Sequence, residues 1–498
     1  MKAPIDAAQE QRILESVPSG LLIDGKWRPA SGGTTFGVED PSTGNKIAEV
    51  ANGDSADALE ALAAAQGALP DWAATPPRER GEILRRAFQE LTERADELAV
   101  LMTLEMGKPV AESRAEITYA AEFFRWFSEE AVRIAGDYRV APGGGSRLLV
   151  MRQPVGPALL ITPWNFPMAM GTRKIGPAIA AGCTMVLKPA ALTPLSSLAL
   201  AGILMDCGLP AGVLNVVTTT NASATTGPLI RDPRLRKISF TGSTEVGKKL
   251  IEASSEQVLR VSMELGGNAP FLVFDDADLD AAVDGAMLAK MRNGGEACTS
   301  ANRFYVQRGV ADEFTHRLSE RMRELKMGRG TDDGVNVGPL VSEQQRAQVA
   351  ELVDDALAKG AIPSCGAELP EGPGYFYPPT VLSSVPEGAR LLTEEIFGPV
   401  APVIPFESEQ DAVSAANATE YGLVAYAYTT NLDRAVRVAE GIKAGMVGIN
   451  AGVVSNPAAP FGGVKQSGFG REGGQEGIEE YLDVKYVALA APPAPSGN

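Results

Sequence analysis

From about residue 147 onward, short apolar runs alternate with stretches of helical periodicity. The predicted strands are residues 158–162 (ALLIT), 184–188 (TMVLK), 213–217, 237–241 and 258–264. The predicted helices between them are 168–181, 195–206 and 244–254. Strands that alternate with helices predict βαβ units and a parallel sheet. Because the strands are almost continuously apolar, we expect both faces of this sheet to be covered.

A second α/β region is predicted to begin with the apolar run 271–274 and to continue past residue 440. The first 140 residues are mostly helical in pattern, with a hairpin-like stretch at 21–27. Two strand-like segments, 147–153 and 481–488, lie outside both regions, and we expect them to pair across a subunit interface. The C-terminal residues APPAPSGN are predicted to be disordered.

Length and charge restrict the class of protein. A chain of 498 residues exceeds the roughly 250–300 residues at which single cores stop growing, so two or three domains are expected. The formal net charge of −17 argues against nucleic acid, because binding phosphates requires a surplus of basic residues. Neither a signal peptide nor a membrane-spanning apolar run is evident. We therefore expect a cytoplasmic protein with no nucleic-acid or membrane partner.

Cysteine and histidine usage narrows the possible chemistry. The four cysteines are too widely spaced to suggest a metal site or a disulfide framework; they are Cys183, Cys207, Cys298 and Cys365. The single histidine, His316, lies in a helical apolar pattern. Hydrolytic triads and two-histidine metal sites are excluded unless His316 serves in them. Proton transfer must therefore depend on a carboxylate, a lysine or water.

Two features suggest phosphate binding. Gly242 and Ser243, in FTGSTEVG, stand at a strand-to-helix turn, where a capping serine and free backbone N–H groups favour an anion. An ordinary capped helix would show the same residues, so this motif alone is weak. Lys188 ends a strand, and ligands of open α/β sheets bind at that edge. It could hold a ribose hydroxyl or a phosphate, or be a solvated strand-end lysine.

Cys298 is the candidate nucleophile, in the stretch GGEACTSANR. The glycine-rich, polar setting favours a reactive thiol, although a buried structural cysteine remains the alternative. A thiolate that attacks a carbonyl needs donors for the developing oxyanion. The candidates are the backbone N–H of Cys298 and the side-chain amide of Asn165 in TPWNFP. Glu264, at a strand end in MELGG, is a candidate general base, although alone it would be interpreted as a surface glutamate at a turn.

Taken together, these motifs resemble those of the aldehyde dehydrogenase superfamily over nearly the whole chain. The matching stretches, in order, are TPWNFP (162–167), TMVLKPA (184–190), FTGSTEVG (240–247), MELGGNAP (263–270), GGEACTSANR (294–303), EEIFGPV (394–400) and PFGGVKQSGFGRE (460–472). Several of these stretches are highly specific.

The resemblance implies an α/β protein with three parts. A Rossmann-like cofactor domain would comprise residues 1–140 and 155–264, and an α/β catalytic domain would comprise 265–455. Strands within 141–154 and 476–490 would form a small oligomerisation region. A homodimer or a homotetramer is implied, because both are common in the superfamily.

The resemblance also implies the site residues. Cys298 would be the nucleophile, Asn165 with the Cys298 amide would form the oxyanion hole, and Glu264 would activate the deacylating water. Because relatives that transfer the acyl group to CoA generally lack this glutamate, a free acid product is implied. No metal is implied. The implied dinucleotide-binding residues are Thr162, Pro163, Trp164, Lys188, Ala190, Ala191, Gly242, Ser243, Leu265, Gly266, Glu395 and Phe397.

Within the superfamily the chain most resembles succinate semialdehyde dehydrogenases. Arg173, Arg292 and Ser455 match the positions with which those enzymes bind the terminal carboxylate. The arginines could instead be ordinary helix-surface residues. Glutarate semialdehyde or an apolar aldehyde remains an alternative substrate, since one methylene changes binding by only about 1–3 kcal/mol. A non-catalytic binding protein is a further alternative, against which the intact nucleophile, base and amide argue.

Two positions depart from the usual pattern. Ala191 stands where many relatives have a glutamate that holds the adenosine ribose of NAD. The resemblance therefore implies NADP as cofactor, with NAD possible. Ser300 replaces the second cysteine that many succinate semialdehyde dehydrogenases have near the nucleophile.

Overall fold

A computed structural model describes residues 5–491 of the chain. The strands, in chain order, are β1 (Leu21–Ile23), β2 (Lys26–Arg28), β3 (Thr35–Asp40), β4 (Asn45–Ala51), β5 (Asp137–Val140), β6 (Ser146–Pro154), β7 (Ala158–Ile161), β8 (Met185–Lys188), β9 (Leu214–Val216), β10 (Lys237–Thr241), β11 (Arg260–Glu264), β12 (Ala269–Val273), β13 (Ala301–Gln307), β14 (Ile362–Cys365), β15 (Thr380–Ser383), β16 (Val400–Phe406), β17 (Val424–Tyr428), β18 (Met446–Ile449), β19 (Gly468–Phe469) and β20 (Leu482–Ala490).

Helices lie between and around these strands. In chain order they are α1 (Ala7–Glu15), α2 (Ser55–Ala74), α3 (Pro77–Glu93), α4 (Ala95–Met106), α5 (Val110–Glu130), α6 (Ala169–Ala181), α7 (Leu195–Asp206), α8 (Ala222–Arg231), α9 (Thr244–Ser254), α10 (Leu279–Met291), α11 (Arg308–Arg323), α12 (Glu343–Ala358), α13 (Glu409–Asn417), α14 (Leu432–Gly441) and α15 (Glu476–Glu479). No helix within the described residues is both long and apolar enough to cross a membrane.

The first sheet has eight strands, in the order β19-β11-β10-β7-β8-β9-β1-β2. Its central strands β7 to β11 run parallel, which confirms the βαβ prediction. The hairpin predicted at 21–27 is also confirmed. It turns through Asp24 and Gly25, both with positive φ, as a two-residue hairpin loop requires. Helix α8 was not predicted, because half of its buried face consists of Thr225 and Thr226.

The second sheet has seven strands, in the order β14-β15-β16-β13-β12-β17-β18. All of them run parallel except β14 at one edge, so the second predicted α/β region is confirmed. The sequence did not predict that β19 crosses back to the first sheet, where it pairs with β11. Contacts of this kind join distant segments and leave no local pattern. The domain boundaries given above stay a prediction.

The third sheet contains β20, β6 and β5, in that order. The two strand-like segments predicted outside the main regions are strands, and their pairing across a subunit interface stays a prediction. Strands β6 and β20 pair with each other within one chain, from Ser146 opposite Ala490 to Pro154 opposite Leu482. Each outer strand keeps one edge without a partner strand within residues 5–491. The predicted disordered tail lies, apart from Ala491, outside the described residues.

Helix α6 is central to the position of the site. All of its residues are buried, including Arg173 and Lys174, and it packs against α5 through Phe124 and Phe127. A buried cation is unfavourable unless a counter-charge or hydrogen bonds accompany it. The sequence therefore requires acidic partners for these two side chains. His316 lies instead on the exposed face of α11, with Nε2 3.5 Å from Glu320 Oε1.

Candidate active site

The carboxyl ends of β7, β8, β10 and β11 lie at one edge of the first sheet, beside the second sheet. A cleft of about 440 Å³ opens there. Its lining includes ten of the residues singled out in the sequence, which are Pro163, Trp164, Asn165, Gly242, Ser243, Leu265, Gly266, Cys298, Glu395 and Phe397. Ligands of open α/β sheets bind at this edge. The cleft therefore joins the candidate nucleophile to the candidate cofactor residues.

One wall of the cleft is the amino-terminal end of α9. Ser243 caps this helix, since its hydroxyl accepts a hydrogen bond from Val246 N at 3.4 Å, as predicted. A Cβ on Gly242 would lie 2.5 Å from the ring of Phe240. A Cβ on Gly266 would lie 2.9 Å from Glu395 Oε2. Glycine at these two positions thus allows the backbone to pack closely against Phe240 and Glu395, and free backbone N–H groups at the helix end favour an anion.

The opposite wall holds the segment EEIFGPV. Phe397 has φ 53°, an unfavourable backbone conformation for this residue. Its ring lies edge-on to Trp164, with centroids 5.3 Å apart, and its carbonyl accepts a hydrogen bond from Gln345 Nε2 at 3.0 Å. Glu395 accepts a hydrogen bond from Gly267 N at 3.1 Å. Burial raises the pKa of Glu395 to about 8.

Lys188, Thr162, Ala190 and Ala191 lie near the ends of β7 and β8, outside the lining of the main cleft. The Thr162 amide donates a hydrogen bond to Lys188 O at 3.2 Å, which ties the two strand ends together. The Lys188 ammonium has no hydrogen bond or ion pair within residues 5–491, and burial lowers its pKa to about 8. The two alanines are half-buried. A buried, unpaired ammonium is suited to an anionic ligand.

Cys298 follows α10 and a short 3₁₀ turn, Arg292–Gly295. Within this turn Asn293 has φ 57°, and a Cβ on Gly295 would lie 2.2 Å from Gly398 O, so the loop is held in one tight path. Burial raises the pKa of the Cys298 thiol to about 12, although Arg173 and Arg292 both favour the thiolate. Burial therefore favours the neutral thiol over the thiolate at this position.

Asn165 is held rigidly beside the nucleophile loop. Its Nδ2 donates a hydrogen bond to Glu296 O at 3.0 Å, so one amide hydrogen remains for a ligand. Asn293 Nδ2 donates to both Asn165 O and Glu296 O at 2.9 Å. Lys108 Nζ donates to Asn165 O at 2.8 Å. These contacts fix the amide in place, as a preorganised oxyanion donor requires.

Glu264 ends β11 in a buried position. Neither of its carboxylate oxygens has a hydrogen-bond partner within the described residues. Burial and the nearby charge of Glu472 raise the pKa of Glu264 well above its ordinary value, while Arg173 and Lys174 oppose the shift. An unpartnered carboxylate with a raised pKa can accept a proton from water near neutral pH. Its burial contradicts the simpler interpretation of a surface glutamate.

Arg173 and Lys174 find their acidic partner in Glu472. Arg173 Nε lies 2.9 Å from Glu472 Oε2, and Lys174 Nζ donates a hydrogen bond to the other carboxylate oxygen. The guanidinium carbon of Arg173 lies 3.9 Å from the ring centroid of Phe461. Burial opposes ionisation of Glu472, but Lys174 and Arg173 hold its pKa below the ordinary value. Arg173 is thus a buried cation whose charge is already compensated.

Arg292 differs from Arg173. Its guanidinium lies over the rings of Phe166 and Tyr119, at 4.9 Å and 5.6 Å from their centroids. It has no hydrogen bond or ion pair within the part of the chain that the structure describes. Arg292 and Phe166 also line a second cavity, of about 700 Å³. Ser455 is half-buried and lies beside the Tyr119 hydroxyl.

Sequence reasoning missed several residues of the site. Tyr119 lies on α5, in a segment that gave no motif. Glu472 falls within the recognised stretch PFGGVKQSGFGRE, but no role was predicted for it. Asn293 and Lys108 contact Asn165 by donating hydrogen bonds from their side-chain nitrogen atoms to its backbone carbonyl. The buried cations of α6 were the one available signal, because they require an acidic partner.

Comparisons with known proteins agree with this geometry. The sequence pattern of the aldehyde dehydrogenase family matches residues 27–487. A succinate-semialdehyde dehydrogenase of Paenarthrobacter nicotinovorans is 60% identical, over 90% of this chain and 99% of that protein. The succinate-semialdehyde dehydrogenase (NADP+) GabD of Escherichia coli K12 is 50% identical, over 94% of this chain and 97% of that protein.

A third relative has another substrate in its name. A glutarate-semialdehyde dehydrogenase of Pseudomonas putida KT2440 is 49% identical, over 94% of this chain and 97% of that protein. Among solved structures, an Escherichia coli NADP-dependent enzyme superposes with a TM-score of 0.94 at 49% identity, covering 98% of this chain and 100% of that one. With its fold, its cleft and its ordered motifs, this chain belongs to the aldehyde dehydrogenase family.

Proposed function

We propose that this protein oxidises succinate semialdehyde to succinate with reduction of NADP. The observation that carries the proposal is Arg292, a guanidinium that forms no ion pair within the described residues and whose charge acts on Cys298. An unpaired cation near the nucleophile supports an aldehyde with a carboxylate at its far end. Relatives named for succinate semialdehyde, at 60% and 50% identity, support the same substrate.

The cleft fits a dinucleotide. The amino-terminal end of α9 suits the pyrophosphate, because free backbone N–H groups there favour an anion. Gly242 and Gly266, which line the same cleft, leave no room for a side chain beside Phe240 and Glu395. Glu395, Phe397 and Cys298 line the same cleft. When bound, the nicotinamide supplies the acceptor for the hydride that leaves the substrate.

The chain's own residues provide the remaining chemistry. Cys298 loses its proton and attacks the aldehyde carbon, and the free amide hydrogen of Asn165 with the Cys298 N–H stabilises the resulting oxyanion. After oxidation of the thiohemiacetal, a thioester joins the acyl group to Cys298. Glu264 then takes a proton from water, which attacks the thioester and releases the acid.

Two residues support NADP over NAD. The Lys188 ammonium has no acidic partner within the described chain and is positioned near Ala191 at the end of β8. An acidic side chain at position 191 would repel a 2′-phosphate and would bind a free 2′-hydroxyl instead. Alanine does neither, so the lysine can hold the phosphate. GabD, whose name specifies NADP+, supports the same preference.

We further propose a role for each of the three parts of the chain. Residues 1–140 and 155–264 bind the dinucleotide, and residues 265–455 carry the nucleophile. Strands within 141–154 and 476–490 associate with a second copy of the chain. Their sheet has outer edges without partner strands in the described chain and exposes Tyr138, Val484 and Tyr486. An exposed apolar sheet edge favours association.

Glutarate semialdehyde is the second candidate substrate, supported by the 49% identical relative named for it. One additional methylene alters affinity by only about 1–3 kcal/mol, so both aldehydes can be substrates. The test is steady-state kinetics with succinate semialdehyde, glutarate semialdehyde and butyraldehyde, each with NADP and NAD. The proposal expects the largest kcat/KM for succinate semialdehyde with NADP. A larger value for butyraldehyde would contradict it.

A further inference from the structure

Tyr119 is a half-buried tyrosine that contacts Arg292 and has a buried hydroxyl oxygen. It lies on α5, with its ring edge-on to Phe123 at 5.0 Å between centroids. The guanidinium carbon of Arg292 lies 5.6 Å from the Tyr119 ring centroid. The charges of Arg173 and Arg292 act on its hydroxyl, as would a thiolate at Cys298. Tyr119 therefore lies within electrostatic range of the nucleophile and of both arginines.

The Tyr119 hydroxyl lacks a partner. Its oxygen is buried and forms no aligned hydrogen bond within residues 5–491, although Ser455 lies beside it. Buried hydroxyls are almost always hydrogen-bonded, because leaving one unpaired is unfavourable. An unpaired hydroxyl on a ring that contacts Arg292 is therefore best explained by a ligand that completes its hydrogen bonding.

The chemistry of that ligand follows from the neighbours. Burial raises the pKa of Tyr119, so the phenol keeps its proton and can donate it. The Arg292 guanidinium contacts the Tyr119 ring, and a carboxylate is the substrate group that accepts hydrogen bonds from both kinds of donor. Arg173 is compensated by Glu472, whereas Arg292 forms no ion pair and the Tyr119 hydroxyl no aligned hydrogen bond within residues 5–491.

We propose that the Tyr119 hydroxyl donates a hydrogen bond to the terminal carboxylate of the substrate and so helps to determine specificity for an acidic aldehyde. This inference rests on the proposed function. Arg292 supplies the charge, and Tyr119 supplies a short, rigid donor from the helix opposite. The rigidity comes from the ring, which is packed between Phe123 and Arg292.

The test is Tyr119→Phe, which keeps the ring and removes only the hydroxyl. The kcat/KM for succinate semialdehyde should fall about ten- to a hundredfold, mainly through KM, as expected for a hydrogen bond to a charged group. Butyraldehyde, of equal length but without the carboxylate, should be little affected. Succinate should also become a weaker competitive inhibitor of butyraldehyde oxidation. Tyr375→Phe, which removes a hydroxyl bound to Glu39 far from the cleft, is the matched control.

The variant Arg292→Ala distinguishes failure of the role proposed for Tyr119 from failure of the proposed function. If Tyr119→Phe impairs both aldehydes equally while Arg292→Ala impairs only the acidic one, the role of Tyr119 is overturned and the proposed function stands. If neither variant impairs oxidation of succinate semialdehyde more than that of butyraldehyde, the proposed function fails as well. Should Tyr119→Phe not fold, a crystal structure of the wild-type protein with succinate decides. A carboxylate oxygen within hydrogen-bond distance of Tyr119 Oη supports the proposal, and its absence there overturns it.

Discussion

Arg173 Nε lies 2.9 Å from Glu472 Oε2 in a fully buried ion pair. The same carboxylate accepts a hydrogen bond from Lys174, and its charge raises the pKa of Glu264. Arg173 is therefore connected both to the substrate pocket and to the proposed base. Arg292 has no ion pair within the described residues, and it is not among the main influences on the pKa of Glu264. The two arginines that sequence resemblance implied as equivalent are thus placed in different electrostatic settings.

Arg173→Ala should change the pH dependence of turnover. Arg173 lowers the pKa of Glu264, so its removal should raise that pKa further. The base would then be deprotonated only at higher pH, and the acidic limb of the kcat profile should move to higher pH with both acidic and neutral aldehydes. Arg292→Ala is the control, because Arg292 is not among the main influences on Glu264. An unmoved limb in Arg173→Ala would show that Glu264 is not the group that titrates.

Glu264→Gln should separate oxidation from hydrolysis. Formation of the thioester precedes activation of water, so the variant should still reduce about one equivalent of cofactor per active site. Steady-state turnover should then be almost abolished, since the glutamine amide cannot accept the proton from water. Rapid-mixing absorbance of the reduced nicotinamide measures both phases. Turnover near that of the wild type would identify a different base.

Ala191→Glu should reverse the cofactor preference. The new carboxylate would repel a 2′-phosphate and bind a free 2′-hydroxyl, so kcat/KM for NADP should fall about tenfold or more while that for NAD rises. Ala191→Gln, similar in size but uncharged, should lose much less with NADP. Equal effects of the two variants would mean that position 191 acts through bulk rather than charge.

Lys188 should make NADP binding dependent on pH. Burial lowers its pKa to about 8, so the ammonium is charged below that pH and neutral above it. The KM for NADP should therefore rise as pH increases through about 8, and a bound phosphate would shift this change to somewhat higher pH by favouring the charged form. The KM for NAD should change little over the same range. Lys188→Met should abolish the difference, and a pH dependence that survives in this variant would refute the assignment.

The sequence predicted the elements that follow local rules. Apart from α8, the strands and helices between residues 158 and 264 lie within two residues of their predicted bounds, because apolar periodicity and capping residues such as Ser243 mark them. The pairing of β6 with β20 was not predicted, because the pattern of apolar residues identifies a strand but not the strand with which it pairs. The same limit applies to β19, which joins a sheet formed by much earlier residues.

The motifs predicted which residues line the cleft, but not the contacts that hold those residues in position. Cys298 and Asn165 do line one cleft, as expected. The left-handed Asn293 that binds both Asn165 O and Glu296 O carried no signal, since its role depends on backbone carbonyls brought together by folding. Glu472 was within a recognised stretch, yet its charge matters only because α6 buries two cations beside it.

The central claim is that Arg292 binds the terminal carboxylate of the aldehyde. The most direct measurement is the ratio of kcat/KM for succinate semialdehyde to that for butyraldehyde, in the wild type and in Arg292→Ala. The guanidinium can bind both carboxylate oxygens, so its loss should lower the ratio about ten- to a hundredfold, with butyraldehyde little affected. If the variant loses activity toward both aldehydes by the same factor, Arg292 only supports the fold and the assignment of an acidic substrate is contradicted.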